Sequence, residues 1–340
     1  MGSRSIGPML VVIFSVFLLV CSRNAASQSS PQNADGMATQ PHMKKLPSGV
    51  ILVKGAWYSA SDSTTPVPEG GRISNGNFSD QYFGMSYALP PGWTQKYEGP
   101  PPSNSGRYSL AQLTPADTHN ESPASILIGA QDLFFTHLPA NNALDFVDYT
   151  EEHLPTYYKL DFPPADIKIA GHPFRLYGYE GLVTHLHWYV ATTEIRCHAL
   201  EIVLTSPDAK RIDSLLHDMN TLKLPSDTSP TGGTGGGDFP VCIKDYANDD
   251  NLISRVEPVF PERRFNPVPV RIIIARDGKV KHIHVISAFP EQAAAVMDAL
   301  KGWKFKPYLR DGHPFEVETG IVFGRASYPS LSLANSSAAK

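Results

Sequence analysis

The chain has 340 residues, room for two domains, and 41% hydrophobic against 18% charged residues mark it as globular rather than disordered. A formal net charge of -4, with Lys and Arg scattered and no basic run, supplies no basic face and argues against a nucleic-acid partner.

At the N-terminus, Arg4 precedes an apolar stretch from Met9 to Cys21 and then a polar Ser/Asn/Gln stretch. This is a secretory signal pattern, with small residues at Ala25-Ala26-Ser27 and cleavage expected after Ser27. The apolar run falls short of the roughly 20 residues a spanning helix needs. The alternatives are a lipoprotein, from the lipobox outline of Leu18-Leu19-Val20-Cys21, and an uncleaved anchor. Removal of residues 1–27 leaves Cys197 and Cys242 from the 3 cysteines. Export permits a bridge between them, and two buried free thiols are the other reading.

Residues 28–48 read as a flexible leader. Val50 to Ala60 is β-rich, and Ser61 to Asn77 reads as a Ser/Thr/Pro/Gly loop. Asp80 to Trp93 predicts a strand, a Pro-Gly turn and a strand starting at Trp93. Further strands are expected at Tyr108 to Leu113 and Ala124 to Leu133, then a helix from Asn142 to Leu154. Short strands follow at Ile167 to Ala170 and Phe174 to Tyr179. Leu182 to Thr192 and Glu194 to Thr205 predict a long hairpin. Ser206 as N-cap and Pro207 start a helix whose apolar stripe is Ile212, Leu215, Leu216 and Met219. The Gly/Ser/Thr-rich stretch 226–238 reads as a flexible linker, with an expected reach of roughly 20 Å.

Beyond it, an apolar run from Ile272 to Ala275 ends close to Asp277-Gly278, a tight-turn dipeptide. A second strand runs from Lys279 to Ser287. Glu291 to Trp303 carries Ala295, Val296, Ala299, Leu300 and Trp303 at helical spacing. A third strand, Phe315 to Phe323, closes the unit. Hairpin, helix and strand make an α+β layer, the helix covering one face of an antiparallel sheet. The Ser/Ala-rich residues 327–340 read as a disordered tail.

These last residues resemble the C-terminal domain of the TonB family of energy transducers. The resemblance rests on Val256 to Glu262, on Asp277-Gly278-Lys279-Val280, and on Ser287. It continues in Trp303-Lys304-Phe305-Lys306-Pro307, in Gly312-His313-Pro314-Phe315 and in Ile321-Val322-Phe323. It departs at Phe265 to Val268, where that family usually has a Gly. The stretch Phe83 to Trp93, with the ending Ala199 to Leu224, resembles the PsbP-like fold more weakly, and implies architecture rather than activity. The expected organisation is α+β in two domains. A PsbP-like antiparallel sheet with flanking helices (49–225) precedes a small TonB-like hairpin/helix/strand domain (239–326).

Two His-x-His pairs, His185/His187 and His282/His284, place imidazoles on one strand face, as a metal site needs. No third ligand stands at a fixed spacing, and a polar strand face is the favoured reading, so no metal or other cofactor is expected. Cys197-His198 fails as a nucleophile–base pair, because strand neighbours face opposite ways. Asn248 to Asn251 lacks the ligand spacing of a calcium loop and reads as a turn. Trp57, Tyr58, Tyr82, Phe83, Tyr87 and Trp93 read as core packing rather than a ligand pocket.

The strongest functional candidate is the last strand, whose edge offers unpaired backbone groups to an extended peptide. In the TonB family the resemblance implies that the matching strand receives a receptor peptide. Glu316, Val317, Glu318, Thr319, Gly320, Ile321 and Val322 are the matching positions. The expected function is a non-enzymatic, exported envelope protein binding a partner by β-strand addition, linked to TonB-type transport. Membrane contact is expected only through a partner or an uncleaved N-terminus. The alternatives are a periplasmic small-ligand-binding protein and, remotely, a metal-dependent hydrolase.

Overall fold

A computed structural model describes residues 51–52, 59–62, 65–95, 99–100, 102–117, 123–225, 239–260 and 266–324. The expected signal, leader, linker and tail lie outside these residues, as do Trp57 and Tyr58. Among the described residues no helix is long and apolar enough to cross a membrane.

The larger sheet has seven strands, ordered Trp93–Gln95, Arg107–Pro115, Ser125–Asp132, His198–Ser206, His187–Ile195, His172–Gly181 and Tyr158–Ile169. Every pairing in it is antiparallel. Leu110, Ile126, Ile128, Leu200 and Ile202 on its inner face share one core with Phe78, Tyr87, Ile212 and Leu215. The last two come from the expected stripe of helix Ala209–Asp218. A second helix, Ala143–Glu152, is capped by Asn142, whose side chain accepts from the Asp145 amide at 2.8 Å.

The smaller sheet has six strands, ordered Ile51–Leu52, Ala60–Ser61, Val280–Val285, Val268–Ile274, Val317–Phe323 and Val241–Cys242. Helix Pro290–Lys301 covers one face, packing Ala293, Val296, Met297 and Leu300 onto Val268, Val270, Ile272, Ile274 and Val317. The Asp277-Gly278 turn forms as expected. Gly278 has a φ of 84°, and a Cβ there would meet the Phe305 carbonyl at 2.0 Å. The backbone of Phe305 donates to the Gly278 carbonyl at 2.8 Å, which is why no side chain fits. The architecture is α+β.

Several elements depart from expectation. Arg72–Ser74 and Asn77–Asp80 pair where a loop was expected. Their turn is Asn75-Gly76, both at positive φ, a hairpin dipeptide present in the sequence. Tyr158–Ile169 is a strand of 12 residues despite Pro163-Pro164, because it lies at the sheet edge, where a missing N–H costs no ladder bond. The long hairpin turns at Arg196-Cys197 rather than Thr193, both residues at positive φ, 50° and 54°. Helix Ala209–Asp218 is capped by Asp208, not Ser206; the Ser206 hydroxyl accepts from the Asp208 amide instead. Ala60–Ser61, expected with the PsbP-like sheet, pairs with His284 and Val285 of the smaller one. The Asp62 carboxylate accepts from the Ile283 amide at 3.1 Å and fixes that edge.

Glu194 of the His187–Ile195 strand accepts from the Ala143 amide at 3.0 Å, at the start of helix Ala143–Glu152. Burial raises its carboxyl to about 7, against that hydrogen bond. A raised folded pKa favours the neutral acid, so this contribution is present below the unfolded value near 4.5 and lost as pH rises toward 7. Urea midpoints should fall over that window by the equivalent of about 3 kcal/mol. Glu194→Gln should flatten the slope; an unchanged slope in that variant contradicts the assignment.

Candidate functional site

The terminal strand Val317–Phe323 runs antiparallel to Val268–Ile274, with Val317 opposite Ile274 and Phe323 opposite Val268. Its first half is not open. Val241 and Cys242 pair with Val317 and Glu318 in parallel. The Val241 and Ile243 amides donate to the Glu316 and Glu318 carbonyls at 2.8 and 3.0 Å. The Thr319 hydroxyl donates to the Lys244 carbonyl at 3.1 Å. Backbone groups of a strand alternate sides, so the N–H and C=O of Gly320 and Val322 face this same outer edge. Among the described residues no strand pairs with them.

The side chains alternate as well. Val317, Ile321 and Phe323 pack on the helix-covered core. Glu318, Gly320 and Val322 share the other face with Arg271, Ile273, His282 and His284 of the neighbouring strands. This face is the seam with the larger sheet. A Cβ on Gly320 would meet the Phe135 ring at 2.9 Å and Phe134 at 3.0 Å, so only glycine lets the two sheets approach there.

Glu318 and Arg271 lie at the centre of a buried charge cluster. Arg271 Nη1 is 2.7 Å from Asp132 Oδ2, and its Nε donates to Glu318 Oε1 at 3.2 Å. Its Nη2 donates to the Arg196 carbonyl at 3.0 Å. Arg196 Nη2 donates to Glu318 Oε2 at 2.9 Å, and the Arg196 Cζ lies over the Tyr82 ring, 3.8 Å from its centroid. The Tyr82 hydroxyl donates to Glu318 Oε1 at 2.9 Å. Two guanidiniums thus face two carboxylates, drawn from both sheets. Burial opposes the charge on Glu318, but Arg196 and Arg271 hold its carboxyl down at about 2. Burial pushes Asp132 up, although Arg271 pulls the other way. His198, beside Asp132, is held well below the ordinary imidazole value by burial and by Arg271.

Local turns place these groups. The Asp80 carboxylate accepts from the amides of Tyr82 and Phe83 at 2.8 and 3.1 Å, which turns Tyr82 toward Glu318. Asp132 accepts from the Phe134 amide at 2.8 Å, and Arg271 lies over the Phe134 ring at 4.2 Å. Cys197, in the hairpin turn, and Cys242, beside Glu318, form a disulfide with a Cα–Cα distance of 6.0 Å. The bridge settles which cysteine reading holds.

The second His-x-His pair also lies on the seam. His282 Nδ1 is 3.3 Å from Asp62 Oδ2, and His284 Nε2 is 3.1 Å from Glu69 Oε1. Ser59 also contacts Glu69, and its hydroxyl lies 3.5 Å from the same His284 Nε2. A hydrolytic triad needs the two imidazole nitrogens to serve Ser and carboxylate separately. Here both meet one nitrogen, inside the protein. Burial alone would raise Glu69, yet His284 and Ser59 hold it below the usual carboxylate range. A cavity of about 10 Å³ between Tyr82, Arg271 and His284 leaves space for about one water.

Sequence reading identified the strand but missed Asp132, Arg196, Arg271 and Tyr82. One signal existed: Arg271 alone interrupts Val268 to Ile274, a run buried throughout. A cation in such a strand needs a buried partner. Tyr82, Phe83, Tyr87 and Trp93 are buried core residues.

Among solved structures, the chain is similar to the solution structure of cyanobacterial PsbP (CyanoP) from Synechocystis sp. PCC 6803. The identity is 13% and the TM-score 0.31, over 44% of this chain and 91% of that chain. A comparison with curated proteins gives no match. The match that lies on the site is the family model of the Gram-negative bacterial TonB protein C-terminal, which takes in residues 263–324 and so the hairpin, the helix and the whole terminal strand.

Proposed function

We propose that this is an exported cell-envelope protein without enzymatic activity, whose TonB-like sheet binds an extended segment of a partner protein by strand addition. The observation that carries this reading is the half-open terminal strand. Gly320 and Val322 direct backbone groups outward, while Val241 and Cys242 occupy the edge beside Val317 and Glu318. Strand addition therefore runs along Gly320 to Phe323, shorter than the Glu316 to Val322 stretch read from sequence. Export is supported by the signal-like N-terminus and by the disulfide, a bond of oxidising compartments. The fixed seam makes the PsbP-like sheet a support that holds this edge in one orientation.

Val322→Pro is the direct test. It removes an outward donor and leaves the ladder to Pro269 in place, so the fold should survive. Val317 is the wrong position for it, being buried and paired on both sides. With a photo-crosslinking residue at Phe323 in the full-length protein, expressed in its native cell, a discrete envelope-protein adduct is expected. Val322→Pro should remove that adduct, and an adduct of equal yield in the proline variant would sink the strand-addition reading.

A further inference from the structure

We propose that Asp161, Glu180 and His187, with His185 as a fourth donor, form a binding site for one divalent transition cation of the zinc class. The three groups come from three adjacent strands at the outer edge of the larger sheet. Glu180 and His187 stand directly opposite each other. Asp161 lies at an irregularity of the next pairing, where the register shifts between Gly178 and Tyr179. Such bulges re-aim side chains. Donor atoms of the three lie within 4.8 Å of one another. His187 Nδ1 is 2.7 Å from Asp161 Oδ2, and His185 Nδ1 is 3.0 Å from Glu180 Oε1.

The chemistry suits the assignment. Donors on one zinc at about 2.1 Å lie at most about 4 Å apart, close to the 4.8 Å within which the donor atoms of Asp161, Glu180 and His187 already lie. Two imidazoles and two carboxylates match zinc and its neighbours better than the all-oxygen shells of calcium or magnesium. The groups are partly solvent-accessible, which gives a cation an entry path; the side chains of His187 and Asp161 are 21% and 22% exposed. Lys159 stands opposite Glu180 and must swing aside when the cation binds.

The other His-x-His pair does not compete. His284 is buried and committed to Glu69, whereas the Asp161 group brings three donors together. His187 and the Arg196 turn lie at opposite ends of a strand of 9 residues. At the rise of a strand this is about 26 Å, so the site is separate from the seam and the open edge. Its role would be a staple across the three outer strands, including the edge strand Tyr158–Ile169.

The test is isothermal titration of the full-length, chelator-stripped protein with zinc chloride, checked by elemental analysis after dialysis. One zinc per chain is expected. His187→Gln, Glu180→Gln and Asp161→Asn should each weaken binding by about tenfold or more, and His282→Gln should not. The two carboxylate variants carry the test if the histidine variant fails to fold by circular dichroism. Absence of saturable binding overturns the proposal, and so does binding of equal strength in the carboxylate variants.

Discussion

Arg271→Met should lower the stability of the folded chain by about 3–5 kcal/mol, read as a shift in the urea midpoint. The guanidinium is buried and contacts Asp132, Glu318 and the Arg196 carbonyl. Removing it leaves two buried carboxylates with one remaining guanidinium, an uncompensated charge in a buried site. The loss comes from that orphaned charge more than from the pair's own attraction. Accordingly, Arg271→Met combined with Asp132→Asn should recover a large share of the loss, a coupling that a double-mutant cycle isolates. A loss below about 1 kcal/mol in the single variant would mean that the cluster is solvated and the seam open. Because the cluster draws on both sheets, the variant should also raise amide exchange at Tyr82 and Phe134 together with that at Glu318. Exchange confined to one sheet would contradict a shared seam.

The second large effect is expected from the disulfide. Cys197 and Cys242 are 45 residues apart in sequence, and a closed loop of that length stabilises by about 4 kcal/mol through the unfolded chain. Cys197→Ser with Cys242→Ser should lower the melting temperature accordingly, as should a thiol reductant on the parent protein. A local effect accompanies it. Cys242 holds Val241 to Ile243 against the Glu316 and Glu318 carbonyls, so its release should speed exchange of the Val241 and Ile243 amides. Without this segment the open edge would lengthen from Gly320 back to Glu316. Unchanged melting and unchanged exchange on reduction would show that pairing alone holds the segment.

Where a signal was local, the sequence carried it. Asp277-Gly278 marks its turn, the spacing of Val296, Ala299 and Leu300 marks the helix, and Ile272 to Ile274 mark a strand. Asn75-Gly76 is equally local, but its flanking strands of 3 and 4 residues are too short to show an alternating pattern. Arg196-Cys197 offered no such sign, since neither residue favours positive φ and only the ladder on both sides imposes it. Of the candidate strand, the residue positions were readable but not their burial. Glu318 and Gly320 look like a polar, permissive edge until Arg196 and the Phe134-Phe135 pair are placed over them.

By itself, then, the amino-acid order determined the α+β class, the hairpin–helix–strand unit and the strand most suited to contact. Tertiary structure alone decided what the polar faces are for. Period-two alternation reads the same whether the polar side meets water or a buried partner, so His282, His284 and Glu318 gave no sign of a seam, and Arg271 in its apolar strand signalled only that some buried partner existed. Their partners Asp132, Arg196, Asp62 and Glu69 lie far away in sequence, at separations no motif encodes. The same holds for His187, whose neighbours Asp161 and Glu180 arrive only through strand register and a bulge. Desolvation and charge compensation are properties of the packed chain, and they turned a strand read as wholly open into one that is half covered and held in a fixed position.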